Sequence, residues 1–228
     1  MNAVHPDSLM ARPAVTGLRR AEAAALKRVL ATAGSGHDLH LGMPVPTGDA
    51  WGHLGRPTRL ELRDGHWRGD VRARVDEALP FRDGAFRVVV LDHVLEWTPL
   101  AAAVLDEAVR VLADDGTLLV GAFHPFSLWM PWLLCRRRPR PMLTPPGWLR
   151  QRLAAHGVDI ARITRCGAAW PHRHDGGARP AWAGGAFVLA ARKSRATIKP
   201  LASVYTLRHL PAGKKHGSWV PGTQRECA

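Results

Sequence analysis

The sequence predicts an α/β domain built on a mostly parallel sheet, and three neighbouring segments carry that reading. Phe86 to Leu91 contains Val88, Val89 and Val90, a β-branched run without polar alternation, which is how a strand buried on both faces reads. Leu100 to Leu112 places Leu100, Val104, Ala108 and Val111 on one helical stripe. Thr117 to Phe123 is again almost wholly apolar. Strand, helix, strand in that order is a βαβ unit, whose crossover calls for a parallel sheet. The 228 residues, 46% of them hydrophobic, suffice for one domain of roughly 100–200 residues with extensions.

The flanking elements follow from shorter patterns. Residues 1–15, with Pro6 and Pro13, show no period and read as a flexible lead-in. Thr16 to Ala33 repeats apolar residues at helical spacing (Leu18, Ala25, Leu26, Val29, Leu30), with Thr16 as N-cap and Gly34 as stop. Leu39 and Leu41 alternate with polar neighbours as a strand ending at Gly42, and residues 43–57 form a Pro- and Gly-rich loop. Leu60 and Leu62, then Val71, Ala73 and Val75, mark two more alternating strands. Thr144-Pro145-Pro146 opens a helix, with Thr144 as N-cap, that carries Trp148, Leu149 and Leu153 and ends at Gly157. Val158 to Ile163 and Ala186 to Ala191 close the sheet, giving a domain over 16–192. Residues 193–228 lack any period and read as a basic, disordered tail.

Composition excludes some classes. No stretch approaches ~18 uninterrupted apolar residues, so no transmembrane helix is predicted. Three cysteines, Cys135, Cys166 and Cys227, are too few and too scattered for a disulfide framework, and no basic start leads into an apolar h-region, which together point to the cytoplasm. The formal net charge of +13 suits nucleic acid, anionic lipid or acidic ligands, although an Ala- and Arg-rich composition explains it equally well. The tail, with seven Lys and Arg against Glu226, carries about half of the surplus.

The central block resembles a family. Asp76-Glu77-Ala78-Leu79-Pro80-Phe81, Leu91-Asp92-His93-Val94-Leu95-Glu96-Trp97, Asp106-Glu107-Ala108-Val109-Arg110-Val111-Leu112 and Asp115-Gly116-Thr117-Leu118 are similar to the core of class I S-adenosylmethionine-dependent methyltransferases of the type 11 kind. The resemblance implies a Rossmann-like fold with a seven-stranded, mostly parallel sheet, helices on both faces and a last strand running antiparallel. It implies S-adenosyl-L-methionine as cofactor, held across the carboxyl ends of the strands. Asp76 and Glu77 would then meet the adenine, and Glu61 or Asp64 the ribose. Gly42 and Met43 would border the cofactor, Asp92 would line the methyl-transfer site, and His93 would border the acceptor. The Leu79-Pro80-Phe81 stretch reads as a turn and core plug.

The departures from the family are specific. Relatives end the first strand with an acid and then Gly-x-Gly-x-Gly, whereas here His40 stands for the acid and only Gly42 of the glycines remains. Pro44 and Pro46 replace the others, and proline offers no N–H donor. The interval between Asp64 and Asp76 is also short for the usual intervening helix. The type 11 branch with this look keeps the stretch after the fifth strand better, here Phe123-His124-Pro125-Phe126-Ser127.

Two functions remain open on the sequence. The first is a methyltransferase acting on an acceptor, most simply a small molecule, with His93 or His124 as a general base or as a pocket wall. The second is a non-catalytic relative that binds RNA or anionic partners through its basic surface and tail. Residues 126–140, aromatic and then arginine-rich, read as a lid over the acceptor pocket, with peripheral membrane contact or RNA binding as alternatives. His172-Arg173-His174-Asp175 with Cys166 fits no closed metal pattern and reads as a polar loop; no metal is expected.

Overall fold

The structure, a computed structural model, describes residues 9–31, 33, 36–44, 57–135, 141–171 and 183–194. The chain divides into two units, Met1–Thr197 and Ile198–Ala228, and the second lies outside the described residues. The unit of Met1–Thr197 is an eight-stranded sheet with helices on both faces. In chain order the elements are α1 (Pro13–Leu30), β1 (Asp38–Gly42), β2 (Thr58–Arg63), β3 (His66–Gly69), β4 (Ala73–Arg74), β5 (Phe86–Asp92), a 3-10 turn (Leu95–Trp97), α2 (Ala101–Val111), β6 (Leu112–Phe123), α3 (Trp129–Leu134), α4 (Pro146–Ala155), β7 (Val158–Cys166) and β8 (Ala186–Lys193).

The strand order is β4-β3-β2-β1-β5-β6-β8-β7. The four central strands β2, β1, β5 and β6 run parallel, and β8 runs antiparallel to both β6 and β7. The eighth strand is the difference from expectation. A four-residue strand, β3, pairs antiparallel with β2 and β4 where a helix would cross in a regular parallel sheet. Asp64 and Gly65, both at positive φ, make the two-residue turn between β2 and β3.

The βαβ reading holds, and its alternation sets the two faces. Val88 and Val90 pack with Leu26, Leu119, Val188 and Ala190 on one face, under α1. Val89 and Leu91 join the larger core on the other face, with Leu105, Leu118, Val120, Leu149 and Leu153 from α2, β6 and α4.

Helix starts differ from expectation because proline sets them. Pro13 takes the first-turn position of α1, Arg12 is the N-cap, and the Thr16 hydroxyl donates to the Arg12 carbonyl instead of capping. Leu9 and Met10 are buried in the core, so the lead-in ends before them. In α4, Pro145 is the N-cap in place of Thr144. Lys193 belongs to β8, and its ammonium donates to the carbonyls of Val109 and Leu112. Residues 195–228 lie outside the described residues. Among the described residues no helix is long and apolar enough to cross a membrane.

Gly185 shows how closely the carboxyl end is packed. A Cβ there would lie 2.2 Å from the Trp129 indole, which is held by its N–H on the Ala168 carbonyl at 2.8 Å. Gly185→Ala should cost about 1–3 kcal/mol by overpacking, read as a lower urea midpoint at unchanged slope.

Candidate functional site

Two helix positions and two strand ends build the site. Val15, Leu18, Arg19, Glu22 and Leu26 form one buried stripe of α1, so Arg19 and Glu22 sit where apolar residues would continue the pattern. Arg19 is 3% exposed and Glu22 1%. Their partners stand at the carboxyl end of β5. Arg19 Nη2 donates to Asp92, a fully buried carboxylate, and His40 of β1 lies 3.5 Å from the same oxygen. His93, the next residue, takes φ 52, an uncommon conformation outside glycine that costs free energy and clusters at functional sites. Its Nε2 donates to Glu22 at 2.9 Å and its Nδ1 to Glu96 at 3.1 Å. Glu96 Oε1 also accepts the Phe123 N–H at 2.8 Å.

The charges follow from these contacts. Burial opposes ionisation of Asp92, but the Arg19 guanidinium and His40 outweigh it and hold the carboxyl below its usual range. Burial also opposes a charged His93, yet Glu22 and Glu96 outweigh it and raise the imidazole well above its ordinary value. Burial raises the Glu22 carboxyl as well. His93 therefore keeps its proton, and both its nitrogens are committed as donors. Through these two bonds His93 ties α1 and the 3-10 turn to the end of β5. Glu22, Asp92 and His93 present ligand atoms within 4.8 Å of one another, but Arg19 on Asp92 and the protonated His93 set this cluster against a cation.

A crevice of about 290 Å³ opens along the same edge of the sheet, lined by Met43, Leu62, Asp64, Gly65, Val75, Trp97, Thr98 and Pro99. Of the residues expected around a cofactor, Met43 and Asp64 line it. Gly42 lies beneath, where a Cβ would come within 2.7 Å of the His40 ring and 3.4 Å of Asp92. Asp92 and His93 stand at the neighbouring strand end, inside the buried cluster. Three others lie elsewhere. Glu61 is held by Arg63 at 2.9 Å. Asp76 accepts a two-pronged bond from Arg74 and is pulled below its usual range by it. Glu77 lines a different cleft, on the hairpin. Pro44 is buried at the start of the glycine-poor loop, and residues 45–56 lie outside the described residues.

His124 follows β6. Its Nδ1 accepts the Phe126 N–H at 3.2 Å, and its ring meets the Phe187 edge at 6.1 Å. Burial, with Arg165, lowers its pKa, so it is neutral at pH 7. Beyond it, Phe126 is 85% exposed and Leu128 55%, while Trp129, Met130 and Leu133 of α3 are buried. The arginines at 136–138 and 140 and the His172–Asp175 loop lie outside the described residues. The Leu79-Pro80-Phe81 stretch is a clamped turn: Arg110 donates to the Leu79 and Phe81 carbonyls, Glu107 accepts the Leu79 N–H, and Phe81 meets Phe86 edge to face.

The sequence reading missed Arg19, Glu22 and Glu96. The signal for the first two was present, since they occupy the apolar stripe of α1.

Comparisons with known proteins agree with this architecture. Residues 59–120 match the family described as "Methyltransferase domain". Among solved structures, the chain is similar to an S-adenosylmethionine-dependent methyltransferase from Mesorhizobium loti, at 16% identity over 77% of this chain and 100% of that one, TM-score 0.51. It is similar to a chain of the complex between the Haloferax volcanii Trm112 methyltransferase activator and a methyltransferase, at 16% identity over 77% and 90%, TM-score 0.54. It is also similar to the magnesium protoporphyrin IX methyltransferase of Synechocystis, solved with bound S-adenosylhomocysteine, at 14% identity over 80% and 86%, TM-score 0.50. The curated relatives match in part only. "Uncharacterized protein YafS" of Escherichia coli is 45% identical over 49 residues, 22% of this chain and 20% of that protein. A β-N-acetylhexosaminidase of Cellulomonas fimi is 36% identical over 96 residues, 37% of this chain and 19% of that protein. The chain thus spans about a fifth of the curated relatives it matches.

Proposed function

The chain has the class I methyltransferase fold, with a methyltransferase domain across its centre, and from that premise we propose that it is an S-adenosylmethionine-dependent methyltransferase acting on a small-molecule acceptor. The observation that carries the reading is the crevice at the carboxyl ends of β1 and β2, where an open α/β sheet takes its ligand.

The residues present fit the cofactor. Leu62, Val75 and Met43 offer apolar walls for an adenine, and Asp64 a carboxylate for ribose hydroxyls. Trp97 lines the same crevice, and its buried indole N–H has no hydrogen-bond partner among the described residues. In the buried cluster at the neighbouring strand end, Arg19 keeps Nε and Nη1 buried and, among the described residues, without a hydrogen-bond partner, and an unsatisfied buried donor costs about 1–3 kcal/mol. A carboxylate would satisfy both, which supports Arg19 as the receptor for the methionyl carboxylate in a chain whose loop has prolines in place of N–H donors. When bound, S-adenosylmethionine supplies an electrophilic methyl group. The chain's part is to orient it and exclude water, since methyl transfer needs chiefly proximity and alignment. Neutral His124 offers Nε2 on the acceptor side, and exposed Phe126 and Leu128 beside it suit an acceptor with an apolar part.

Calorimetric titration of the full chain with S-adenosylhomocysteine tests the reading. Binding in the micromolar range is expected, and 5′-methylthioadenosine, which lacks the amino-acid end, should bind about tenfold or more weaker through loss of a charge-assisted bond. No binding at millimolar ligand would remove the cofactor and leave the alternative of a non-catalytic binding module. Equal binding of the two ligands would keep the cofactor and remove Arg19 from its recognition.

A further inference from the structure

We propose that the hairpin β3–β4 carries a second ligand site, a receptor for the phosphate monoester of a small phosphorylated molecule, separate from the cofactor crevice. A cleft of about 440 Å³ is lined by His66, Trp67, Arg68, Arg72, Ala73, Arg74 and Glu77. There β3 takes the place of a crossover helix, and among the described residues no helix covers the outward face of β2–β3–β4.

The strand register places like charges opposite each other on that face. His66 pairs with Arg74 and Trp67 with Ala73, and one more step of the same register sets Arg68 against Arg72. Trp67 points inward and is 2% exposed, so His66, Arg68, Arg72 and Arg74 share the outer face. Like charges directly across a pair of strands destabilise it. Local carboxylates answer only part of the charge. Arg74 is bound by Asp76, with Glu77 at 3.6 Å. Glu61 stands opposite Arg68 in the β2–β3 register but is engaged by Arg63. Arg68 and Arg72 have no ion pair among the described residues, and His66, whose Nδ1 donates to the Asp64 carbonyl at 2.9 Å, lines the same cleft.

Two unpaired guanidinium groups in one cleft match one dianion. They can present forked donors to its oxygens, the geometry at which arginine excels. A nucleic-acid strand fits less well, because successive phosphodiesters need a track of free cations, and the flanking Arg63 and Arg74 are already spent on their own carboxylates.

The test is a titration of the full chain with inorganic phosphate at constant ionic strength, followed by calorimetry and by thermal unfolding. Phosphate should bind and raise Tm relative to chloride. The double variant Arg68→Gln/Arg72→Gln should fold, show a Tm at or above that of the parent without phosphate, and lose phosphate affinity by about tenfold or more. A control double variant on α1, Arg20→Gln/Arg28→Gln, removes the same charge from exposed positions and should bind phosphate as the parent does. Equal loss in the control would show diffuse charge and overturn the proposal, as would undiminished binding in the Arg68/Arg72 variant. A single-stranded RNA decamer that binds where phosphate does not would overturn it in favour of a nucleic-acid surface.

Discussion

Asp92→Ala is expected to destabilise the protein by about 3–5 kcal/mol, because it strands a buried guanidinium. Arg19 is 3% exposed and Asp92 0%, so water cannot replace the lost partner. In a domain of this size the loss corresponds to a fall in Tm on the order of 10 °C. Arg19→Met should cost a similar amount for the converse reason, leaving a buried carboxylate without its guanidinium. The double variant Arg19→Met/Asp92→Leu should recover most of the loss, since a buried pair replaced by apolar groups of similar volume is often neutral. Urea midpoints of the two single variants and the double measure this cycle. Additive losses would show that the two side chains do not interact. The pH dependence has a definite sign. The folded Asp92 carboxyl titrates below its unfolded value near ~3.9, so its contribution is complete above that value and is lost as pH falls through the lower folded one. A folded double variant would also separate stability from binding, because it should no longer prefer S-adenosylhomocysteine over 5′-methylthioadenosine.

What was legible in the sequence was what depends on local periodicity. The run Val88–Leu91 and the helix of Leu105 gave β5 and α2 within a residue or two, because burial on both faces and a 3.6-residue stripe leave direct marks. The hairpin did not, although the short interval between Asp64 and Asp76 pointed to a missing helix. His66–Gly69 is exposed at three of four positions, and only Trp67 faces the core. An edge strand with one apolar residue carries almost no alternation to read. The site was harder still. Asp76 and Glu77 were placed by resemblance to a family. Here β4 is only two residues long, and Arg74 draws the Asp76 carboxylate to itself. Arg19 and Glu22 were hidden by a general expectation, since charged residues are almost never fully buried unless paired. Their partners lie 73 and 71 residues away, a separation that one sequence cannot bridge.

His93→Gln is the second large effect expected. His93 is the cation between Glu22 and Glu96, all three nearly inaccessible. Its removal leaves two buried carboxylates facing an uncharged amide, at a cost of about 3–5 kcal/mol near neutral pH. The parent and the variant should diverge in their pH profiles. In the parent the folded pKa of His93 lies well above its unfolded value of ~6.5. The stabilisation is therefore complete below that unfolded value and is lost as pH rises through the folded one, so urea midpoints should fall in alkaline solution. Glu22 works in the same sense, since burial raises its folded pKa above the unfolded one, and its ionised form is a cost that grows with pH. In the variant that cost is uncompensated, and stability should climb as pH drops from about 7 towards 4.5, as Glu22 takes up a proton. The two profiles should approach each other at acid pH and separate at neutral pH. Parallel profiles would mean that His93 is neutral in the folded protein. That would leave a lone pair at the end of β5, and with it a group able to act as a general base.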